Sequence, residues 1–190
     1  MKELSLNIFD ISQNSVKAKA EKIEITLDET EETLAITIRD NGCGMTTEQV
    51  RNVMDPFFTT RTTRNVGLGV PLLKLAAEQT GGGIRIESVS EKDNPKNHGT
   101  VIRADFFTKH LDFTPLGDIV STVTLMIQGA PDIRWIFIHN TGSGSVELDT
   151  DELKAVLGDV PLNNYDVIKW IEEYLKEGYA DIHYNMGYNL

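Results

Sequence analysis

The stretch "DNGCGMTTEQVRNVMDPFFTTR", residues 40–61, joins a tight glycine turn carrying one acid to a Phe-Phe-Thr-Thr-Arg run. What precedes it decides how it is read. "KIEITLDE" (22–29) and "TLAITIRD" (33–40) alternate apolar and polar residues on either side of an acidic turn, so they form an antiparallel hairpin whose last residue is Asp40. A carboxylate at a strand end, followed by Gly42 and Gly44, is an acceptor set beside bare backbone. As an anion it is satisfied only by a donor, such as an exocyclic amine.

Upstream, a helix from about Glu3 to Ala20 is apolar on two sides: Leu4, Ile8, Ile11 and Ser15 on one, Phe9, Val16 and Ala20 on the other. Between them runs a polar stripe of Glu3, Asn7, Asp10, Asn14, Lys17 and Glu21, which either faces water or serves a site. Asp10 and Asn14 lie one turn apart and offer oxygen ligands of the kind Mg²⁺ accepts, directly or through water. Downstream, "TTEQVRNVMD" (46–55) is a short helix capped by Thr46 or Thr47. "GLGVPLLKLAAEQTGG" (67–82) is a helix opened by glycines, where backbone N–H groups favour phosphate. "GIRIESVS" (83–90) and "GTVIRADFF" (99–107) are two further strands joined by a polar loop, in which His98 faces solvent or approaches a ligand. An amine-bearing base, a metal and a phosphate chain are the ligand these pieces sketch.

Five motifs in order resemble the GHKL ATPase/kinase superfamily between about Leu4 and Phe107. "FDISQNSVKAKA" looks like its N box, "DNGCGM" its first glycine box, "DPFFTTR" the F box of histidine kinases and "VGLGVPLLK" the second glycine box. "GGGIRIES" and "HGT" look like its closing strands. The resemblance implies an α+β fold, the Bergerat α/β sandwich, with helices on one face of a mixed sheet, and it implies ATP and Mg²⁺ as ligands. Asp10 would be the catalytic base, Asn14 would hold Mg²⁺ and Lys17 would lie near the phosphates. Asp40 would take the adenine amine, beside Gly42, Gly44 and Met45. Gly67, Leu68 and Gly69 would line the phosphates, Arg61 and Arg64 would reach the γ-phosphate as paired donors or else lie solvated in an exposed loop, and Thr100 would support the adenine end. Phe57 and Phe58 would pack the lid. Hydrolysing members usually carry glutamate where this chain has Asp10, so hydrolysis, transfer of the phosphate to a partner and an ATP-dependent or anti-sigma-like regulatory switch all stay open. So does a non-catalytic module with a vestigial pocket. A complete histidine kinase carries its phospho-accepting histidine before the N box, where none of His98, His110, His139 and His183 lies.

The 190 residues carry a formal net charge of -11, which excludes nonspecific nucleic-acid binding. A lone Cys43 precludes an internal disulfide, and no apolar run is long enough for a bilayer, so no membrane contact is expected and a cytoplasmic location is. The acidity is uneven. Residues 1–110 hold 16 acids and 14 bases, and residues 111–190 hold 13 acids and 4 bases, so the second part is either a solvated face or a docking face for a basic partner.

With Pro115 and Gly117 breaking the pattern, two domains are expected: an ATP-binding domain at 1–110 and a smaller α/β module for a protein partner at 111–190. A homodimer fits the resemblance as well. In the second part "IVSTVTLMIQG" (119–129), "DIRWIFIHN" (132–140) and "SVELDT" (145–150) read as strands, the first two pairing through "APD". "DTDELKAVLGD" (149–159) and "NNYDVIKWIEEYLKEG" (163–178) read as helices, with Val167, Trp170, Ile171 and Tyr174 as an apolar stripe expected to be core rather than a docking groove.

Overall fold

A computed structural model describes residues 3–54 and 68–182. Helix α1 (Leu4–Lys17) is followed by strands β1 (Lys22–Glu29) and β2 (Thr33–Asp40), helices α2 (Thr47–Val53) and α3 (Gly69–Gln79), and strands β3 (Gly83–Val89) and β4 (Gly99–Phe107). Then come helix α4 (Ile119–Gly129), strands β5 (Arg134–Thr141) and β6 (Gly144–Asp149), and helices α5 (Thr150–Leu157) and α6 (Tyr165–Asp181). Up to β4 each element lies where the periodicity puts it.

Among the described residues the strands form one six-stranded mixed sheet in the order β3-β4-β2-β1-β5-β6, in which only the β1–β5 pair is parallel. Alternation sends one set of side chains to a single face: Ile23, Ile25 and Leu27 of β1, Leu34, Ile36 and Ile38 of β2, and Trp135 and Phe137 of β5 are all buried. Helices α1, α3, α4 and α6 pack against one another, and their buried residues share one core with those strands. This is the helices-on-one-face mixed sheet expected of the α+β fold.

The run at residues 119–129 is a correction. It is the helix α4, not a strand, and the pairing through residues 130–132 does not exist. Its β-branched composition mimics a strand, but tertiary burial outweighs propensity. Asp118 caps it by accepting from the Ser121 N–H at 2.8 Å, and the Thr122 and Thr124 hydroxyls donate to the carbonyls four residues back, at 2.7 and 2.8 Å. Those hydroxyls are thereby satisfied inside the core. In place of that pairing, β5 lies parallel to β1, with Ile25 opposite Phe137, so the sheet and the core both cross residues 110 and 111.

In α6 the expected stripe divides. Val167 and Ile171 are buried, whereas Trp170 and Tyr174 are exposed and stacked on each other, with ring centroids 5.3 Å apart. The face of α6 is rotated by one step, and its buried row continues through Leu175 and Tyr179.

Candidate nucleotide site

Asp40 ends β2 next to the last turn of α1. Its two carboxylate oxygens are held differently: Ser15 Oγ donates to Oδ2 at 2.6 Å, and the Gly42 N–H donates to Oδ1 at 2.9 Å. A carboxylate has about four lone-pair positions, so two acceptor positions remain for a ligand after these two bonds. The rest of the glycine turn is clamped from both sides. The Cys43 N–H donates to the Ala18 carbonyl at 2.9 Å, and the Glu91 N–H donates to the Cys43 carbonyl at 2.9 Å.

His98 is not the free loop residue the sequence suggests. It is half-buried, with Nδ1 at 2.6 Å from the Gly42 carbonyl, and because that partner only accepts, Nδ1 carries the proton. Gly44 is the position where glycine is required. Its φ is +63°, and a Cβ there would stand 1.9 Å from the Val89 carbonyl oxygen. Met45 is fixed by its own N–H, which donates to Ser88 Oγ at 2.8 Å. Ser88 Oγ lies 2.8 Å from Thr100 Oγ1, and Thr100 faces Asp40 across the β2–β4 ladder. Thr46 then caps α2 in a reciprocal pair with Gln49, as one of the two caps read from the sequence.

These groups border a cleft of about 450 Å³. Its lining includes Asn14, Lys17, Asp40, Gly44, Met45 and Thr100, six of the residues singled out from the sequence. Apolar walls come from Ile11, Ile38, Val53, Val70 and Ile102, as a planar base requires. Gly42 sits against the cleft through Asp40, and its Cβ-less position is needed because Ala18 comes within 2.8 Å of where a Cβ would be.

At the start of α3, Leu68 stands at the N-cap, 59% exposed, and Gly69 is buried against α1. A Cβ on Gly69 would meet the Asp10 Cβ at 2.9 Å, which brings the α3 N-terminus directly beside the N box. Asn7, buried in the polar stripe, reaches the Gly69 carbonyl with Nδ2 at 3.5 Å and ties the two helices together. Asp10 itself is exposed beside this junction and does not line the cleft among the described residues. Arg61, Gly67, Phe57, Phe58 and Arg64 lie outside the described residues.

Sequence reasoning missed Ser15 and Ser88. Ser15 reads as filler on an apolar face, yet it is one residue beyond Asn14 and turns toward the β2 end. Ser88 carries no signal that sets it apart within its strand, yet its hydroxyl joins Met45 to Thr100. Removing one donor to a charged acceptor has a measurable cost: Ser15→Ala is expected to weaken nucleotide binding about tenfold, since a hydrogen bond to a charged group contributes about 1.5–3 kcal/mol and tenfold corresponds to about 1.4 kcal/mol. Titration calorimetry checks it, and unchanged affinity would show that Asp40 holds its orientation without Ser15.

For a metal, no group of three or more His, Cys, Asp or Glu side chains stands ready among the described residues. Mg²⁺ arriving with a nucleotide needs only one or two protein oxygens, the phosphates and water supplying the others. Asn14, in the cleft wall, carries an amide oxygen of the kind that demand calls for.

Comparison with known proteins agrees with this geometry. The model of the family described as "Histidine kinase-, DNA gyrase B-, and HSP90-like ATPase" matches residues 2–115. The probable C4-dicarboxylate sensor kinase of Bacillus subtilis (strain 168) is 32% identical over 77 residues, which are 40% of this chain and 14% of that protein. The signal transduction histidine-protein kinase AtoS of Escherichia coli (strain K12) is 34% identical over 90 residues, 47% of this chain and 14% of that protein. The chain thus spans about one seventh of the length of these relatives. Among solved structures, the Aquifex aeolicus MutL ATPase domain complexed with ADP superposes with a TM-score of 0.51 at 11% identity, covering 91% of this chain and 88% of that one. That coverage carries the likeness of fold past residue 115. With the family model matching more than half of its length, the chain belongs to the histidine kinase-, DNA gyrase B- and HSP90-like ATPases.

Proposed function

We propose that this chain binds ATP with Mg²⁺ in the cleft between α1, the glycine turn and α3, and passes the γ-phosphate to water or to a partner protein. The observation that carries the reading is Asp40: a carboxylate pinned by Ser15 and Gly42, with acceptor capacity left over, in the wall of an apolar-sided cleft shared with Asn14 and Lys17. Asp40 accepts the adenine amine, and Thr100 supports that end of the base through Ser88. Asn14 gives its amide oxygen to Mg²⁺, Lys17 neutralises phosphate charge, and the backbone N–H groups at Leu68 and Gly69 face the chain's phosphates with the α3 dipole behind them. Gly67 and Arg61 are proposed to complete the phosphate contacts.

Asp10, exposed beside the start of α3, is the proposed base that orients water or an acceptor hydroxyl. Being one methylene shorter than glutamate, it works through an intervening water. The histidine-kinase-like motifs support transfer to a protein acceptor, and that acceptor is proposed to dock through residues 111–190. Among the described residues no helix is long and apolar enough to cross a membrane, and we read the chain as a cytoplasmic module.

Labelled ATP, with and without Mg²⁺, tests the binding step, and absence of binding at millimolar nucleotide sinks it. Asn14→Ala separates metal from base: affinity for Mg-ATP is expected to fall roughly 10- to 100-fold, about 1.4–2.8 kcal/mol, while metal-free nucleotide binding moves less than about threefold. Equal losses with and without Mg²⁺ would remove Asn14 from the metal site. Acid-labile label on a co-incubated protein identifies a phosphohistidine, acid-stable label a hydroxyl acceptor, and phosphate release alone a hydrolytic switch.

A further inference from the structure

The nucleotide cleft leaves unexplained a second groove of about 490 Å³ at the opposite edge of the sheet. Strands β5 and β6 line it through Ile136, Phe137 and Ile138 on one side and Glu147, Leu148 and Asp149 on the other. There Ile138 stands across from Glu147, and Ile136 across from Asp149. Helix α5 contributes Val156, which is 87% exposed, and Glu152. Helix α6 contributes the stacked pair Trp170 and Tyr174, 50% and 42% exposed, with the Tyr174 hydroxyl donating to the Glu147 carbonyl. A half-exposed parallel aromatic stack beside exposed aliphatic side chains is costly to leave in water, and contiguous patches of this kind mark binding surfaces.

The charges select the occupant. Among the described residues no lysine or arginine lines the groove. Asp149 is already answered by Arg134, whose Nη2 donates to it at 2.6 Å, and this pair holds the Asp149 carboxyl below its usual range. Glu147 and Glu152, in contrast, are in no ion pair among the described residues, and both are exposed. A second copy seated face to face would bring these like charges together, in a chain whose formal net charge is already -11. The chain's own residues 183–190 contain no lysine or arginine to answer them.

We propose that this groove docks an arginine-bearing amphipathic segment of a partner protein. An aliphatic side chain of the segment lies on Ile136 and Ile138, and an arginine guanidinium stacks on the Trp170–Tyr174 pair within reach of Glu147 or Glu152. Among the described residues the groove and the nucleotide cleft share none, so the docking stands whether or not ATP is the ligand of the cleft.

The two tryptophans make the test direct, because Trp135 is buried at 2% exposure and only Trp170 reports on the groove. The probes are two synthetic helix-forming peptides of roughly 15 residues, about four turns, with the same leucine face, one carrying arginines and the other glutamates on its polar face. The full chain is titrated with each while Trp170 emission is followed at about 50 mM and about 300 mM salt. The arginine peptide is expected to give a saturable change that weakens at high salt, and the glutamate peptide none. The double variant Glu147→Gln, Glu152→Gln is expected to lose about tenfold or more in affinity for the arginine peptide, with its thermal midpoint unchanged to show that it is folded. Equal binding of both peptides, no binding of the arginine peptide at millimolar concentration, or an undiminished affinity in the double variant would overturn the proposal. So would a concentration-dependent dimer, seen by sedimentation, that shields Trp170.

Discussion

Asp40→Asn is expected to weaken ATP binding by roughly 100-fold or more while leaving the protein folded. The substitution is nearly isosteric, and the turn has a way to absorb it. The asparagine oxygen still accepts the Gly42 N–H, and the Ser15 hydroxyl, which can accept as well as donate, rotates to take the new amide hydrogen. The ligand side has no such remedy. On the proposed reading the carboxylate accepts the adenine amine, so in the variant an amide NH₂ would face that amine, and two donors would meet in a partly buried site. Losing a charge-assisted hydrogen bond and leaving donors unpaired together cost about 3 kcal/mol or more, which is roughly a factor of 100. Calorimetric titration with ATP gives the affinity, and a thermal melt of the unliganded variant confirms that it folds. The specific signature is selectivity: the wild-type chain should prefer ATP over the analogue that lacks the exocyclic amine, and the variant should bind the two alike. A variant that retains wild-type affinity would take Asp40 out of the adenine contact and return the glycine turn to a purely structural role.

Phe137→Ala is expected to have the largest effect on stability, about 3–5 kcal/mol, through the cavity left when a buried aromatic ring is removed. Phe137 is 2% exposed on β5 and lies opposite Ile25 of β1 in the parallel ladder. The consequence reaches beyond β5. If the sheet and the core that cross residues 110 and 111 melt as one unit, the variant loses nucleotide binding and helical signal together in a single transition, lowered by roughly 10 °C or more. If instead residues 1–110 and 111–190 are separate units, the variant shows two transitions, and ATP binding survives the first. Calorimetry with a parallel nucleotide-binding assay at each temperature decides between the two, and a single transition at the wild-type midpoint would contradict the burial on which the prediction rests.

The functional part of this molecule was legible because its signals are local. Glycine is needed at position 44 where φ is positive and a carbonyl crowds the backbone, and the hairpin's alternation alone brings Asp40 to the end of a strand. Asn14, Lys17, Asp40, Gly44, Met45 and Thr100, drawn from three separate stretches, do meet at one cleft. Ser15 escaped notice because a small residue on a mostly apolar helix face has no periodic signature. His98 was misread because its bond to the Gly42 carbonyl spans 56 residues of sequence.

By itself, then, the sequence determined the hairpin, the glycine turn and the helices on either side of it, since each depends on contacts or backbone constraints within a few positions. Tertiary structure alone decided the rest. Residues 119–129 carry a strand's composition, yet they form a helix because burial between α1 and α6 rewards an apolar helix whose threonine hydroxyls are bonded four residues back. The parallel pairing of β5 with β1, and the one-step rotation of α6 that leaves Trp170 and Tyr174 on the surface, are set by how elements distant in sequence fill a common core.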